Sequence, residues 1–421
     1  MGGFQDILIF VSFLIEVAVL LYLELKAWRT LYTPFVFLAL PYVIVLLISI
    51  AISGNYGFVE FYYPSILLWS VGLLIFAIPS LTFGFLLQRA GLPQNSKINE
   101  EAMPQWLALL AFFVVALFLY RFKSLYGGAH VIGSHDFGDA LCGDGFWGHL
   151  RQLSLPILMI AIYSLDKTRR WLWLIIIPLF GVALLYQVLG WIIIPCMGGV
   201  VMRLYSGKTK LKPSLFLYVI LGGSMVFLVS YVISIVVVAE NDLDNDVFTF
   251  IFKNFVHYLT SGTLGLSVDM ERNFPDAGSF EVIWAPIVNV INVLVGKDEI
   301  VSPVNPFYYN TGLNLTNVRT FFGTLYIYTN AVEFVVYILL SSSLMYLLKL
   351  MTVKWKNIYV YAAYFFECGL LAMGWFEFYY FHLVVFELPA IVFGLWLVDK
   401  VLRSRGKVSV PLKMNSYGGD S

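Results

Sequence analysis

Long runs of apolar residues, broken by short polar connections, constrain this chain more than any other feature. Roughly eleven such runs of about 18 to 25 residues fall near 6–25, 34–53, 65–87, 104–120, 147–165, 171–186, 188–205, 213–239, 323–348, 357–376 and 379–399. A single segment crosses lipid only as a helix, because its backbone N–H and C=O groups must be satisfied internally. The expected fold is therefore an all-α polytopic membrane protein with about eleven transmembrane helices. Composition agrees. The chain is 60% hydrophobic and 12% charged, where soluble domains carry about one quarter charged residues. Its 11 Trp and 26 Tyr suit belts at the two membrane interfaces.

Other classes fall away quickly. A formal net charge of zero argues against nucleic acid as a partner. The cysteines, Cys142, Cys196 and Cys368, have neither paired nor metal-ligand spacing, so no disulfide framework or zinc site is expected. The first run begins near Asp6 without a basic leader or a small-residue cleavage site, and reads as a retained helix.

The runs divide the chain. Residues 1–239 hold about eight helices, 240–322 form one large polar loop, 323–400 hold about three helices, and 401–421 form a tail. Nineteen of the 26 basic residues fall in one set of short loops and in the tail. The other face holds only Arg121, Lys123, Arg151, Lys253, Arg272, Lys297 and Arg319. Basic loops stay in the cytoplasm, so the tail is expected there and the N-terminus and large loop outside. All five histidines (His130, His135, His149, His257 and His382) then lie on or near the outer side. No fixed-period repeat and no inverted pair of broken helices is visible. Glu16, Glu333, Glu367 and Glu387 are the few ionisable residues within spans, which weighs against an ion-coupled carrier.

Chemistry is expected on the outer face, in four places. The loop from Arg121-Phe122-Lys123 to Arg151 contains Gly127-Gly128, Gly143, Gly145 and Gly148. Glycines allow close backbone approach, and the two cations suit either a lipid-linked diphosphate or ordinary headgroups. His149 and Arg151 stand together near the start of the next helix. There an arginine opposes the helix dipole and needs a partner, an anion or an acidic side chain. The acidic run Asp242, Asp244, Asp246 has the spacing of a calcium loop, but Val247 stands where that loop needs glycine. It reads better as a solvated helix start. The segment Val256-His257-Tyr258-Leu259-Thr260-Ser261-Gly262, followed by Asp269, Glu271 and Arg272, is either an amphipathic surface helix or the carrier of a general base. Finally, Thr316-Asn317-Val318-Arg319-Thr320-Phe321-Phe322-Gly323 precedes the ninth run, where Arg319 at the interface could grip a phosphate bidentately.

That last segment, with Tyr258-Leu259-Thr260-Ser261-Gly262 upstream and about eleven spans around one outer loop, resembles the bacterial oligosaccharide repeat-unit polymerases of the Wzy type. The resemblance covers most of the chain in topology and about a dozen residues in motif. It implies a GT-C-like integral-membrane glycosyltransferase of the bacterial inner membrane that builds O-antigen or capsular polysaccharide. The substrate would be an undecaprenyl-diphosphate-linked oligosaccharide, with no cofactor and no metal. A flippase and a chain-length regulator would be partners. On that reading Arg319, Arg272 and Arg121 stabilise the leaving diphosphate, and His257 or Asp269 accepts the proton of the attacking hydroxyl. Lys123, His149, Arg151 and Asn317 join in binding substrate, and Tyr258, Tyr308 and Tyr309 stack on sugar rings. Two features depart from the family. The outer start of the seventh span, where an Arg or Lys is expected, reads Tyr186-Gln187-Val188-Leu189-Gly190. An Asp and Gly expected after the Arg319 segment are replaced by Thr329-Asn330-Ala331. The alternatives are an O-antigen ligase and a polysaccharide transporter or flippase.

Overall fold

The computed structural model describes residues 3–55, 57–100, 102–128, 131–143, 145–188, 190–210, 212–232, 245–272, 280–297, 299–302, 304–312 and 314–406. His130, Asp242, Asp244 and most of the tail lie outside the described residues. The chain is an all-α membrane protein. Helices α1 (Phe4–Trp28), α2 (Pro34–Ile52), α3 (Ser65–Arg89), α4 (Gln105–Leu125) and α13 (Ala331–Trp355) are long and apolar enough to cross a bilayer. They are joined by α5 (His135–Cys142), α6 (Gly145–Ser164), α7 (Trp173–Leu185), α8 (Gly190–Tyr205), α9 (Pro213–Val232), α10 (Asn245–Arg272), α11 (Ala285–Leu294), α12 (Phe321–Tyr328), α14 (Ile358–Ala372) and α15 (Val384–Gly406).

Burial sorts these helices by role. On α1 the apolar residues Ile7, Leu8, Val11, Ile15, Val19 and Tyr22 are exposed at helical spacing, a stripe suited to lipid contact. Every residue of α14 except Gly369 is buried, against α2, α8, α13, α15 and α6. A helix apolar all round belongs in the middle of a bundle, and α14 is that centre. The turns α1–α2 and α13–α14 share a device. Arg29 (φ 52°) and Lys356 (φ 51°) each cap a helix in the left-handed region, and a cation there also complements the helix dipole.

The hydrophobic pattern over 171–205 resolves into α7 and α8, preceded by a 3-10 turn at Arg170–Leu172. Gln187 makes the reversal between them with φ 60°. The expected ninth run at 323–348 is divided. Short helix α12 ends at Tyr328, and Asn330 starts α13 with a capping box, its side chain accepting from Val332 and Glu333 N–H. Glu333 is therefore a cap and not a mid-span acid. The burial pattern adds two ionisable residues that periodicity did not single out, Glu24 and Lys349. Tyr346 Oη donates to Glu24 Oε1 at 2.5 Å, and Lys349 Nζ donates to the Tyr32 carbonyl at 3.1 Å.

The large polar interval does not simply lie over the bundle. Its first helix, α10, exposes Phe248, Phe250 and Phe252 but buries His257 and every residue from Thr260 to Asp269 against α2, α3 and the connection between α14 and α15. Small residues make that possible. A Cβ on Gly262 would stand 2.6 Å from the Trp375 carbonyl oxygen, and one on Gly265 would stand 2.7 Å from the Val318 carbonyl oxygen. The Thr260-Ser261-Gly262 motif is thus a packing surface. Beyond α11 a two-residue hairpin pairs Tyr309 with Thr316 and Asn310 with Leu315, antiparallel. It is held to the α2–α3 connection by the Val59 N–H, which donates to the Thr311 carbonyl at 3.0 Å. Trp69 Nε1 donates to Thr320 Oγ1 at 2.9 Å and the Phe321 N–H donates to the Gly374 carbonyl at 2.6 Å, seating α12 between α3 and the end of α14.

Gly262→Ala is expected to lower stability by about 1–3 kcal/mol, because the new methyl would meet the Trp375–Phe376 backbone, which yields less readily than a side chain. Gly223→Ala, with open space around its Cβ, serves as the control. Thermal unfolding of the purified protein in detergent checks this, and equal melting temperatures for the two variants would contradict the packing account.

Candidate functional site

Two groups of residues at the hairpin end of the bundle carry charge, and their electrostatics differ. The first joins α10 to the segment before α12. Arg319 is 1% exposed. Its Nε donates to Asp269 Oδ2, its Nη2 donates to Asp269 Oδ1 at 3.3 Å, and its Nη1 donates to the Val318 carbonyl at 2.8 Å. The guanidinium also lies over the Tyr309 ring, 4.9 Å from its centre. Burial pushes the Asp269 carboxyl above its usual range, and the Arg319 guanidinium pulls it back. Nearby, His257 Nδ1 lies 3.1 Å from Thr311 Oγ1, and Asn314 Nδ2 donates to Asn254 Oδ1 at 3.1 Å. Burial moves the His257 imidazole below its usual range, against the opposing effect of its hydrogen bond to the Leu315 carbonyl.

Arg319 was expected at the interface, free to grip a phosphate, and Asp269 free to take a proton. The structure instead buries both and pairs them with each other. Each is committed to its partner, because taking either charge from water is costly unless the other compensates. Arg272 and Lys123 are exposed. Arg121 is turned inward, donating from Nε and Nη2 to the Ala140 carbonyl at 3.1 and 2.8 Å beside the Trp147 ring. Tyr258 packs on Phe376, Phe227 and Tyr231. Tyr308 is exposed, with its Oη 3.3 Å from the Asn317 amide that donates to it.

The second group surrounds a cavity of about 420 Å³ between α6, the α7–α8 turn and the start of α15. The glycine-rich turn brings α5 and α6 together tightly. Gly145 takes φ 55°, and a Cβ on Gly148 would stand 2.8 Å from the Gly143 carbonyl oxygen. One turn into α6, Arg151 is 7% exposed and its guanidinium lies 3.8 Å from the centre of the Tyr186 ring. Among the described residues its Nη1 is buried with no hydrogen-bond partner, as is Oε1 of the adjacent Gln152. Among the described residues no carboxylate pairs with Arg151. The cavity's acid, Glu387 on the first turn of α15, is taken by His149, with Oε1 and Nδ1 2.6 Å apart. His382 closes the inner wall, edge-on to Trp191 at 5.2 Å. Burial, with the Arg151 charge second, pushes the His382 imidazole down to about 4, so it is neutral at ordinary pH.

The two groups share one wall, the connection between α14 and α15. Its Trp375 and Phe376 carbonyls close on Gly262, and its Tyr379 ring packs on Trp191 and over Gly190. Sequence reasoning had named His149 and Arg151 together but had read Glu387 as a mid-span acid. It had also read the Tyr186 turn as lacking a cation. The structure places Arg151 over that very ring. The available signal was Arg151 itself, a cation near a helix start with no acid at i±3 or i±4.

Fold and site thus define a polytopic α-helical membrane protein with a polar cavity at the hairpin end. The chain belongs to a family of unknown function (DUF6337), whose match covers residues 57–405. No curated protein and no solved structure matches it.

Asp269→Ala is expected to cost about 3–5 kcal/mol of stability, since it strands the Arg319 charge in the interior. The double change Asp269→Leu with Arg319→Met should recover most of that loss. Melting temperatures of the three proteins check both expectations. A double variant as unstable as the single one would refute the stranded-charge account.

Proposed function

We propose that this protein is a membrane glycosyltransferase that polymerises undecaprenyl-diphosphate-linked oligosaccharides into O-antigen or capsular polysaccharide, on the periplasmic side of a bacterial inner membrane. The observation that carries the reading is Arg151: a cation buried at the rim of the bundle, stacked on Tyr186 and, among the described residues, without a paired anion. An uncompensated buried charge is unfavourable unless a ligand completes it. A diphosphate headgroup supplies two negative phosphates, and its polyprenyl chain stays in the adjoining lipid.

The resemblance in the Arg319 and Tyr258–Gly262 segments supports the same class, and so does the departure at the α7–α8 turn. The basic residue missing from Tyr186-Gln187-Val188-Leu189-Gly190 has a substitute in Arg151, which reaches that place from α6. In this reading about eleven helices span the membrane in a GT-C-like arrangement, α10 to α12 form the outer layer, and the basic loops set the tail in the cytoplasm. Arg151 holds the leaving diphosphate, while Arg319 and Asp269 hold the outer layer in place. Tyr308, exposed at the hairpin, and the half-buried Asn317 beside it can meet the glycan, and the exposed Arg272 and Lys123 add positive potential to the surface. Chain-length regulators and flippases are the expected partners.

Deleting the gene in its native host is expected to collapse the surface glycan to core plus a single repeat unit on a gel. Complete loss of core-linked glycan, with polymer retained on its carrier, would instead make this a ligase. An unchanged ladder would refute both. Arg151→Met should abolish polymer while leaving the melting temperature equal or higher, because it removes a buried charge that no described residue pairs with. A variant with normal chain lengths would remove Arg151 from the site.

A further inference from the structure

We infer that His149 is the group that takes the proton from the attacking sugar hydroxyl, with Glu387 as its positioning residue, at the mouth of the cavity that Arg151 floors. This rests on the reading of that cavity as the diphosphate site and adds a chemical role that neither the motif resemblance nor the family assigns.

The geometry supplies each part. His149 lines the cavity and its side chain is 64% exposed, so a hydroxyl arriving from the aqueous side can reach it. Its Nδ1 is tied to Glu387 Oε1 at 2.6 Å. That hydrogen bond fixes the ring and leaves Nε2 as the nitrogen that exchanges a proton. A carboxylate in this position favours the tautomer with the Nδ1 proton and stabilises the imidazolium formed when Nε2 is protonated. His149 and Glu387 come from α6 and α15, two helices far apart in the chain, and both face the cavity that holds Arg151. The rival candidates are less available. Asp269 is closed into its pair with Arg319, His257 is buried against Thr311, and the half-buried His382 is packed edge-on against Trp191.

The step balances without another reactant. The acceptor hydroxyl gives its proton to His149 Nε2 as its oxygen bonds to the anomeric carbon of the donor glycan. The bond from that carbon to the diphosphate breaks, and its electron pair leaves with the diphosphate, whose charge Arg151 neutralises. His149 then returns the proton to solvent or to the departing diphosphate.

The test uses the full chain in lipid nanodiscs. Its substrate is the undecaprenyl-diphosphate-linked oligosaccharide extracted from the deletion strain, and undecaprenyl diphosphate alone serves as binding probe. His149→Ala should bind the probe within about threefold of the unaltered protein and lose about 10²–10⁴-fold in turnover. Free imidazole should restore at least about tenfold of that turnover, which no structural role would allow. Glu387→Gln should lower kcat with little change in KM and gain nothing from imidazole, because the missing group is not the base. Turnover of His149→Ala within about threefold of the unaltered protein, or a loss that imidazole does not relieve, overturns the assignment. If Arg151→Met then still loses probe binding, the diphosphate site stands and only the base is wrong. Normal binding and turnover in all three variants would remove the cavity itself from the chemistry.

Discussion

The buried pair between Arg319 and Asp269 is the constraint on which the hairpin end of this protein depends. Fifty residues separate the partners, and both side chains are fully shielded. A charge removed from water is tolerable only with a partner in good geometry and with its remaining donors satisfied. Arg319 has both, since carboxylate and backbone carbonyls of the hairpin region take up its N–H groups. The pair therefore admits one arrangement of α10 against the segment before α12. With that register fixed, the small residues of α10 meet the connection after α14, the Phe321 N–H reaches the Gly374 carbonyl, and the same connection forms the shared wall of the Arg151 cavity.

Much of the bundle was legible in the sequence because bilayer thickness imposes a length on apolar runs. Helices α1 to α4 lie where hydropathy put them, and the α7–α8 reversal falls at Gln187, between the runs at 171–186 and 188–205. The pattern failed where a short-range polar signal overrode it. Asn330 and Glu333 interrupt an apolar stretch with a capping box, so α12 and α13 are two helices. It failed again at α10. An amphipathic helix shows that one face is polar, not whether that face meets water or protein. Thr260, Ser261, Gly262 and Gly265 were the clue, since such small side chains serve close backbone approach.

The arginines show a second limit of the same kind. Arg319 and Arg151 look alike in sequence, each near a helix start on the outer face. Their electrostatics are opposite. One has its charge answered inside the protein, and the other, among the described residues, has the face of Tyr186 and no ion pair. A cation–π contact contributes about 0.5–2 kcal/mol. Isolating a charge from water costs several kcal/mol. The ring does not satisfy Arg151 Nη1, which is buried without a hydrogen-bond partner among the described residues, and a bound anion would take up that donor. Spacing along the chain carries no information about it, because the decisive residues, Tyr186 and Glu387, arrive from other helices.

Exposure then sorts the roles within the cavity. A fixed cation meant to stabilise developing negative charge acts most strongly where water is excluded, since screening weakens it. Arg151 is placed that way. A proton carrier must meet a hydroxyl arriving from water and release its proton afterwards, which suits a ring at the mouth, held at one nitrogen and open at the other. His149 is placed that way, with Glu387 behind it. In the proposed reading α6 supplies both groups, two residues apart, the buried cation over Tyr186 and the exposed imidazole tied to Glu387. The glycine-rich turn before them lets α6 start close against the end of α5, where a Cβ on Gly148 would meet the Gly143 carbonyl.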